Sequence, residues 1–111
     1  MLSFQRLDVY QRAIDFLALV YEVVEHLPKG HGDRAEQLVR AAESVVRNIA
    51  EGAGQWSEAD SNKHDKIAHG QAMECAACLD VFKLRKLVAV PHYEEGIRLL
   101  EGLVAMLTKM L

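Results

Sequence analysis

The sequence predicts an all-α protein, an antiparallel up-down-up-down four-helix bundle formed by one domain, residues 1–111. Apolar side chains recur at spacings of three and four residues in four separate segments, and this is the period of an amphipathic helix. Short connections that contain glycine or proline separate the segments. No segment shows the alternation of period two that a half-buried strand requires. Because short loops join helices as antiparallel neighbours, four such helices favour a bundle.

Composition and charge narrow the class of protein. Half of the 111 residues are hydrophobic, which is enough for one packed core. The formal charge is −3, whereas a general nucleic-acid binder usually has a basic surface. No apolar run is long enough to cross a bilayer, and charged residues interrupt the N-terminal runs, so we expect no signal peptide. The two cysteines cannot link distant segments, and we therefore expect a reduced, cytoplasmic protein.

The first helix is predicted over residues 9–26, and the proline and glycines of Leu27–Gly32 end it. Its main apolar stripe comprises Tyr10, Ala13, Ile14, Leu17, Val20, Tyr21 and Val24. A second set, Val9, Phe16 and Val23, recurs every seven residues beside this stripe, with Leu19 next to it. Two interpretations remain open. The helix has a broad face that packs two neighbours in its own bundle, or the second set forms a subunit interface, since exposed apolar patches usually mark contacts.

The second helix is predicted over residues 34–52. Asp33 and Glu36 form an acidic variant of the capping box at its start, and Gly52-Ala53-Gly54 ends it. The side chains expected to face the core are Leu38, Ala42, Val45 and Ile49.

The third and fourth helices are predicted over residues 58–87 and 92–110. Ser57 and Asp60 give the capping signal for the third, and Pro91 suits the first turn of the fourth. In the third helix the inward residues are Ala68, Ala72, Cys75, Leu79 and Phe82. In the fourth they are Tyr93, Ile97, Leu100, Val104, Leu107 and Leu111.

A polar stripe runs along the second helix, opposite its apolar one. Arg40, Ser44, Asn48 and Glu51 follow one another at steps of four, four and three residues. The stripe is either an ordinary solvated face or a structural polar network that joins the second helix to the third. In the second case Glu74 would supply a carboxylate for Arg40, because a guanidinium pairs well with a carboxylate.

Cysteine, histidine and serine residues occur in this sequence, but outside the patterns that redox, metal and catalytic sites require. Cys75 and Cys78 form a C-x-x-C motif in the middle of a helix, whereas redox enzymes place this motif at a helix N-terminus. We interpret them as buried core cysteines. The histidines lack the Glu-x-x-His pattern of di-iron bundles, and we interpret His64 and His69 as solvated or capping side chains. Ser44 lacks the context of a nucleophile. We expect no metal, no cofactor and no catalytic residue.

One small basic cluster interrupts the mixed charge of the chain. Lys83, Arg85 and Lys86 lie within four residues at the end of the third helix. They are the candidate nucleic-acid contact, because cations that neutralise phosphates drive such binding.

The second helix also carries a resemblance to a known family. Residues 37–52, QLVRAAESVVRNIAEG, resemble the signature of a bacterial family of four-helix-bundle proteins, first noticed as reading frames within intervening sequences of large-subunit ribosomal RNA genes. Residues 4–13, Ser57 and residues 68–74 are similar to its opening, its third-helix start and its small-residue-then-glutamate segment. The sequence departs from the family at Val46, where proline is frequent, and at Gln55 and Trp56, where basic residues are frequent.

The resemblance implies a bundle that assembles into a homopentamer and has no known catalytic activity. It also implies kinship with the pentameric accessory proteins of diversity-generating retroelements, which bind RNA and a reverse transcriptase. We therefore expect a non-enzymatic scaffold or adaptor whose first partner is itself. The alternative is an accessory protein that binds RNA, and a protein partner is a further expectation.

Overall fold

A computed structural model describes all 111 residues and contains four α-helices and no strand. A single 3-10 turn, Ser3–Arg6, precedes α1 (Asp8–Glu25), α2 (Gly32–Ala53), α3 (Glu58–Leu84) and α4 (Val90–Met110). Each helix packs against the two next to it in a ring, with α4 returning to α1. The structure confirms the predicted all-α four-helix bundle.

The ends of the helices follow local hydrogen bonding. Ser57 caps α3 as predicted, and its Oγ accepts a bond of 3.1 Å from the Asp60 backbone N–H. The capping box predicted at Asp33 is not formed, because α2 begins earlier, at Gly32. Gly54 ends α2 with a φ of −87°, so it does not use the left-handed conformation that glycine usually supplies there.

The last turn of α3 ends three residues earlier than predicted. The Leu87 N–H donates to the Phe82 carbonyl at 2.8 Å, and the Lys86 N–H donates to the Lys83 carbonyl at 3.1 Å. Together these bonds form a Schellman motif. The motif requires a left-handed residue, and here that residue is Lys86, with a φ of 59°. Leu87 therefore belongs to the loop.

The core is a single cluster of 20 buried hydrophobic residues drawn from all four helices. The inward residues predicted for α2 and α3 are all buried. In α4 the prediction was partly wrong, because Leu111 is exposed and Tyr93, Ile97 and Val104 are only partly buried. The inward positions that the sequence did not indicate are Gly96, Leu99 and Leu103.

The assignment of a subunit interface on α1 is corrected by the structure. Val9, Phe16 and Val23 are buried inside a single chain, with Phe16 only 1% exposed. Leu19 is partly buried and packs against the same core. The buried face of α1 runs Val9, Ala13, Phe16, Val20 and Val23. The broad-face interpretation therefore holds, and Phe16 is a core residue.

Candidate functional site and interaction surfaces

A network of polar side chains joins the C-terminal half of α2 to the first half of α3. The Asn48 amide Nδ2 donates to the Ser44 carbonyl at 2.9 Å and lies 3.1 Å from the Ser44 hydroxyl. Across the helix boundary, the Asn48 Oδ1 lies 3.1 Å from the His64 Nδ1. The Glu51 carboxylate lies 3.3 Å from the same nitrogen. A proton on that nitrogen would let His64 donate to both α2 side chains.

The same boundary contains a close approach of the two backbones. The Ser61 hydroxyl donates to the Gly52 carbonyl at 2.9 Å. A Cβ at Gly52 would lie 2.9 Å from the Asp65 Oδ1 and 3.2 Å from the His64 Cβ. A side chain at Gly52 would therefore displace the Asp65 carboxylate or push α2 slightly away from α3.

Asp65 is the one buried charged side chain of the protein, with 4% of its surface exposed. Its Oδ1 is fully buried and has no hydrogen-bond partner. Burial raises the pKa of the Asp65 carboxyl, and the nearby His64 acts in the opposite direction to a lesser extent. The carboxylate form is therefore held at a cost, because a charge has left water without gaining a partner.

The predicted polar stripe divides into two parts. Ser44, Asn48 and Glu51 lie in the network, whereas Arg40 is exposed and pairs with Glu36, one turn earlier on α2. The predicted contact between Arg40 and Glu74 is not formed. Both residues line a polar groove of about 310 Å³ between α2 and α3, and the Glu74 carboxylate accepts a long bond of 3.4 Å from the Gln37 amide.

Sequence reasoning missed the α3 half of this network, namely Ser61, His64 and Asp65. The interpretation of His64 as a solvated or capping residue was wrong, because its side chain is 22% exposed and faces α2. A signal was present: the core spacing of α3 continues backwards from Ala72 and Ala68 to Asp65 and Ser61, at steps of four, three and four residues. The polar character of these side chains concealed it.

The cysteines lie in the core. Burial is the main cause that raises the pKa of the Cys75 thiol to about 12, and burial also raises the pKa of Cys78. Thiols held in this state are poor nucleophiles, since the thiolate is the reactive form. No group of three or more His, Cys, Asp or Glu side chains lies close enough together to hold a metal ion.

The outward face of α3 also carries large exposed apolar side chains, with Lys66 and Glu74 among them. Ile67, Met73, Val81 and Leu84 are between 40% and 83% exposed, and Gly70 and Ala77 lie between them on the same side of the helix. We call this set the α3 outer stripe. Large apolar side chains exposed in a continuous row are a mark of contact surfaces.

A groove beside the stripe extends this surface towards α4. It has a volume of about 420 Å³ and is lined by seven hydrophobic residues and Glu101. Met73 belongs to both the groove and the α3 outer stripe, and Ile97 and Val104 form the α4 wall. The groove and the stripe therefore make one apolar surface that crosses the outside of α3.

The basic cluster lies at the turn between α3 and α4. Lys83, Arg85 and Lys86 are exposed, and none of them forms an ion pair. The Lys83 ammonium lies 4.5 Å from the centre of the Tyr93 ring, an arrangement that attracts a cation to the ring face. Tyr93 in turn donates its hydroxyl to Asp80 at 2.6 Å.

These features define an all-helical bundle with a structural polar network and exposed contact surfaces. A protein-family model described as "23S rRNA-intervening sequence protein" matches residues 5–109. The chain belongs to the 23S rRNA-intervening sequence protein family.

A solved structure agrees with this fold. The crystal structure of a protein of unknown function from the S23 ribosomal protein family of Bacteroides thetaiotaomicron superposes with a TM-score of 0.85. The match covers 92% of this chain and 93% of that one at 19% sequence identity, so the likeness concerns the fold. No curated protein matches the chain. None of the four helices is long and apolar enough to cross a membrane.

Proposed function

We propose that this protein works without catalysis, as a homo-oligomeric helical bundle that serves as a scaffold or adaptor, with a pentamer as the expected assembly. The observation that carries the proposal is the apolar surface formed by the α3 outer stripe and the groove beside α4. A second copy of the chain is the partner that the resemblance to a pentameric family favours.

The shape of this surface supports a ring. A pentamer needs a head-to-tail interface, in which two different patches meet, because a self-complementary two-fold patch alone gives dimers. The α3 outer stripe is convex, since it follows one helix, whereas the groove between α3 and α4 is concave. The stripe of one copy and the groove of the next would therefore be two different patches with complementary shapes.

Two charged substitutions on this apolar surface test the proposed assembly. Met73 and Val81 are 48% and 45% exposed, so the carboxylates of Met73→Asp and Val81→Asp can reach solvent in the protomer. We expect the double variant to sediment as a monomer and to keep the helical circular dichroism of the wild type. A matched variant with Ala18→Asp and Thr108→Asp adds the same charge at exposed positions elsewhere and should leave the assembly intact.

Two results would contradict the proposal. One is a wild-type protein that sediments as a monomer at all concentrations. The other is a Met73→Asp and Val81→Asp variant with an unchanged assembly.

A second candidate function is RNA binding through the basic turn. Three exposed cations without ion pairs favour it, and a ring would repeat them in every copy. Affinity for poly(U) should then fall as salt rises, and replacing Lys83, Arg85 and Lys86 by Gln should flatten that dependence. Absence of binding at low salt would remove this candidate.

A further inference from the structure

The two ends of the bundle differ in charge and lie far apart. Helix α3 has 27 residues and, at about 1.5 Å per residue, spans roughly 40 Å. This length matches the long axis of the molecule, 44 Å, against 25 and 23 Å across. The loop that precedes Glu58 and the turn that follows Leu84 are therefore at opposite ends of the rod.

The first end, which we call the acidic end, contains the loop between α2 and α3 beside the start of α1 and the end of α4. Arg6 and Lys109 are exposed on those neighbouring segments, whereas the only charged side chains of residues 55–61 are carboxylates. Trp56 is fully exposed there, with a relative exposure of 104%. No Lys or Arg occurs between Arg47 and Lys63. Glu58 and Asp60 are exposed and form no ion pair. A solvated tryptophan among carboxylates is thus the main feature of this end.

The opposite end, which we call the basic end, contains the turn between α3 and α4 beside the loop that joins α1 to α2. Leu84 and Val90 are 83% and 61% exposed. Residues 83–94 contain the three cations described above and one carboxylate, Glu94, which leaves a local excess of two positive charges. Apolar side chains are therefore exposed here beside unpaired cations.

We propose that the acidic end of one copy docks on the basic end of the next copy, with Trp56 packed against Val90, while Leu84 stays in the α3 outer stripe. Apolar surface meets apolar surface, and the carboxylates of Glu58 and Asp60 face the cations of the turn. Complementary potentials of this kind fix orientation and suppress the wrong pairing of two like ends. A nucleic acid fits the acidic end badly, because its phosphates would meet carboxylates there.

The contact is head-to-tail and does not close, so it adds bundles along their long axis. An end of 25 by 23 Å offers roughly 450 Å², about half of the ~800 Å² that each partner buries in a stable interface. Between two lone protomers the contact is therefore weak. Repeated around a ring it gains by multivalency, so that stacked rings are the expected assembly. The stacking of rings rests on the proposed function, whereas the end-to-end contact itself does not, because two protomers already contain both surfaces.

Engineered thiols at the two ends test the contact directly. Gln55 lies beside Trp56, and Ala89 lies beside Val90, and both positions are exposed. The native thiols are buried, with Cys75 0% and Cys78 9% exposed, so they give little background. A Gln55→Cys protein mixed with a size-tagged Ala89→Cys protein and a short bis-maleimide should yield the mixed dimer several-fold above either variant alone.

Charge reversal supplies the matched control. Adding Glu58→Lys and Asp60→Lys to the Gln55→Cys protein should lower the yield several-fold. Adding Lys83→Glu, Arg85→Glu and Lys86→Glu to the Ala89→Cys partner should then restore it. Trp56→Ser should lower the yield and reduce any stacked species to single rings, while the ring formed through the Met73 surface stays intact, which separates this contact from the proposed ring.

Three results would overturn the inference. The first is equal cross-linking of Gln55→Cys or Ala89→Cys with itself, which would show like ends meeting. The second is a mixed yield that does not respond to charge reversal or to Trp56→Ser. The third is poly(U) binding that is abolished by charge reversal at the basic end in the absence of any mixed dimer, which would assign that end to nucleic acid.

Discussion

Asp65 shows at the scale of one residue what the close contact between α2 and α3 at Gly52 costs. Buried polar atoms in folded proteins normally have a hydrogen-bond partner, but the Asp65 Oδ1 has none. The absent side chain of Gly52 lets α2 approach α3, and the same approach removes water from the carboxylate. The close packing of α2 and α3 therefore destabilises the ionised form of Asp65.

Asp65→Asn is expected to stabilise the protein at neutral pH by about 1 kcal/mol, because a buried group without a partner costs more when it is charged than when it is a neutral amide. The pKa of Asp65 is raised in the folded state, so the folded protein holds its proton to higher pH than the unfolded chain. The stability that Asp65 contributes to the wild type is therefore present below the pKa of the unfolded chain. It is lost as pH rises through the higher pKa of the folded protein.

Urea unfolding of the wild type and of Asp65→Asn from pH 4 to pH 8 measures this effect. The advantage of the variant should be smallest at the acidic limit, should grow as pH rises through the raised pKa, and should then stay constant. Other carboxylates cancel in the difference. An advantage that shrinks with rising pH would mean that the ionised Asp65 is stabilised by its surroundings.

The end of α3 shows what one element requires of its sequence. The Schellman motif needs a left-handed residue, and glycine fills that position in most helices because a Cβ is strained there. This chain uses Lys86, at a φ of 59°. The basic turn is thus held in a conformation that lysine adopts at a cost in stability.

Lys86→Gly should raise the free energy of unfolding by about 1 kcal/mol, because it relieves the left-handed strain. Arg85→Gly is the matched control, since Arg85 has a φ of −86° and should gain nothing. Thermal or urea unfolding of both variants provides the comparison. A loss of stability in Lys86→Gly would show that the Lys86 side chain contributes more than its backbone strain costs.

Elements also show where the sequence is informative and where it is not. The period of three and four residues identified all four helices, and it fixed the buried faces of α2 and α3. In α1 two neighbouring arcs both fit that period, and only the positions of α2 and α4 decide that Phe16 rather than Tyr21 faces the core. The sequence did not indicate the α3 outer stripe, because the residues of the inner face already accounted for the helical period of α3.

The polar network could be predicted only in part, because its hydrogen bonds join side chains of two different helices. Ser44, Asn48 and Glu51 could be selected from one helix, because they share one face. Their partners lie on another helix, and the register between α2 and α3 is set by the close approach at Gly52. Sequence spacing along one helix does not contain that register. Glu74 was therefore predicted as the α3 partner of Arg40, whereas Arg40 pairs with Glu36 on its own helix. The contact from α3 is made by His64 with Asn48 and Glu51.

The whole molecule leaves one apolar surface uncovered, the α3 outer stripe with its groove. If the α3 outer stripe and its groove are covered by further copies, the native state gains stability by mass action, since the unfolded chain cannot bind in this way. The midpoint of thermal unfolding should then rise by a few degrees over a hundredfold increase in protein concentration. In the Met73→Asp and Val81→Asp variant it should be independent of concentration.

This experiment distinguishes assembly from simple surface stickiness. Non-specific aggregation would lower the apparent midpoint at high concentration and make unfolding irreversible, whereas a defined oligomer raises the midpoint and refolds on cooling. Equal midpoints for the wild type at all concentrations would leave the apolar surface of α3 without a role in assembly under those conditions.

The position of Trp56 makes the acidic end visible to spectroscopy. It is the only tryptophan in the chain, and it lies wholly outside the core. Its fluorescence therefore follows the polarity around one loop and is nearly silent when the bundle itself unfolds. A blue-shifted emission from the native protein would mark another molecule covering that loop, without any label, and circular dichroism would report the bundle independently.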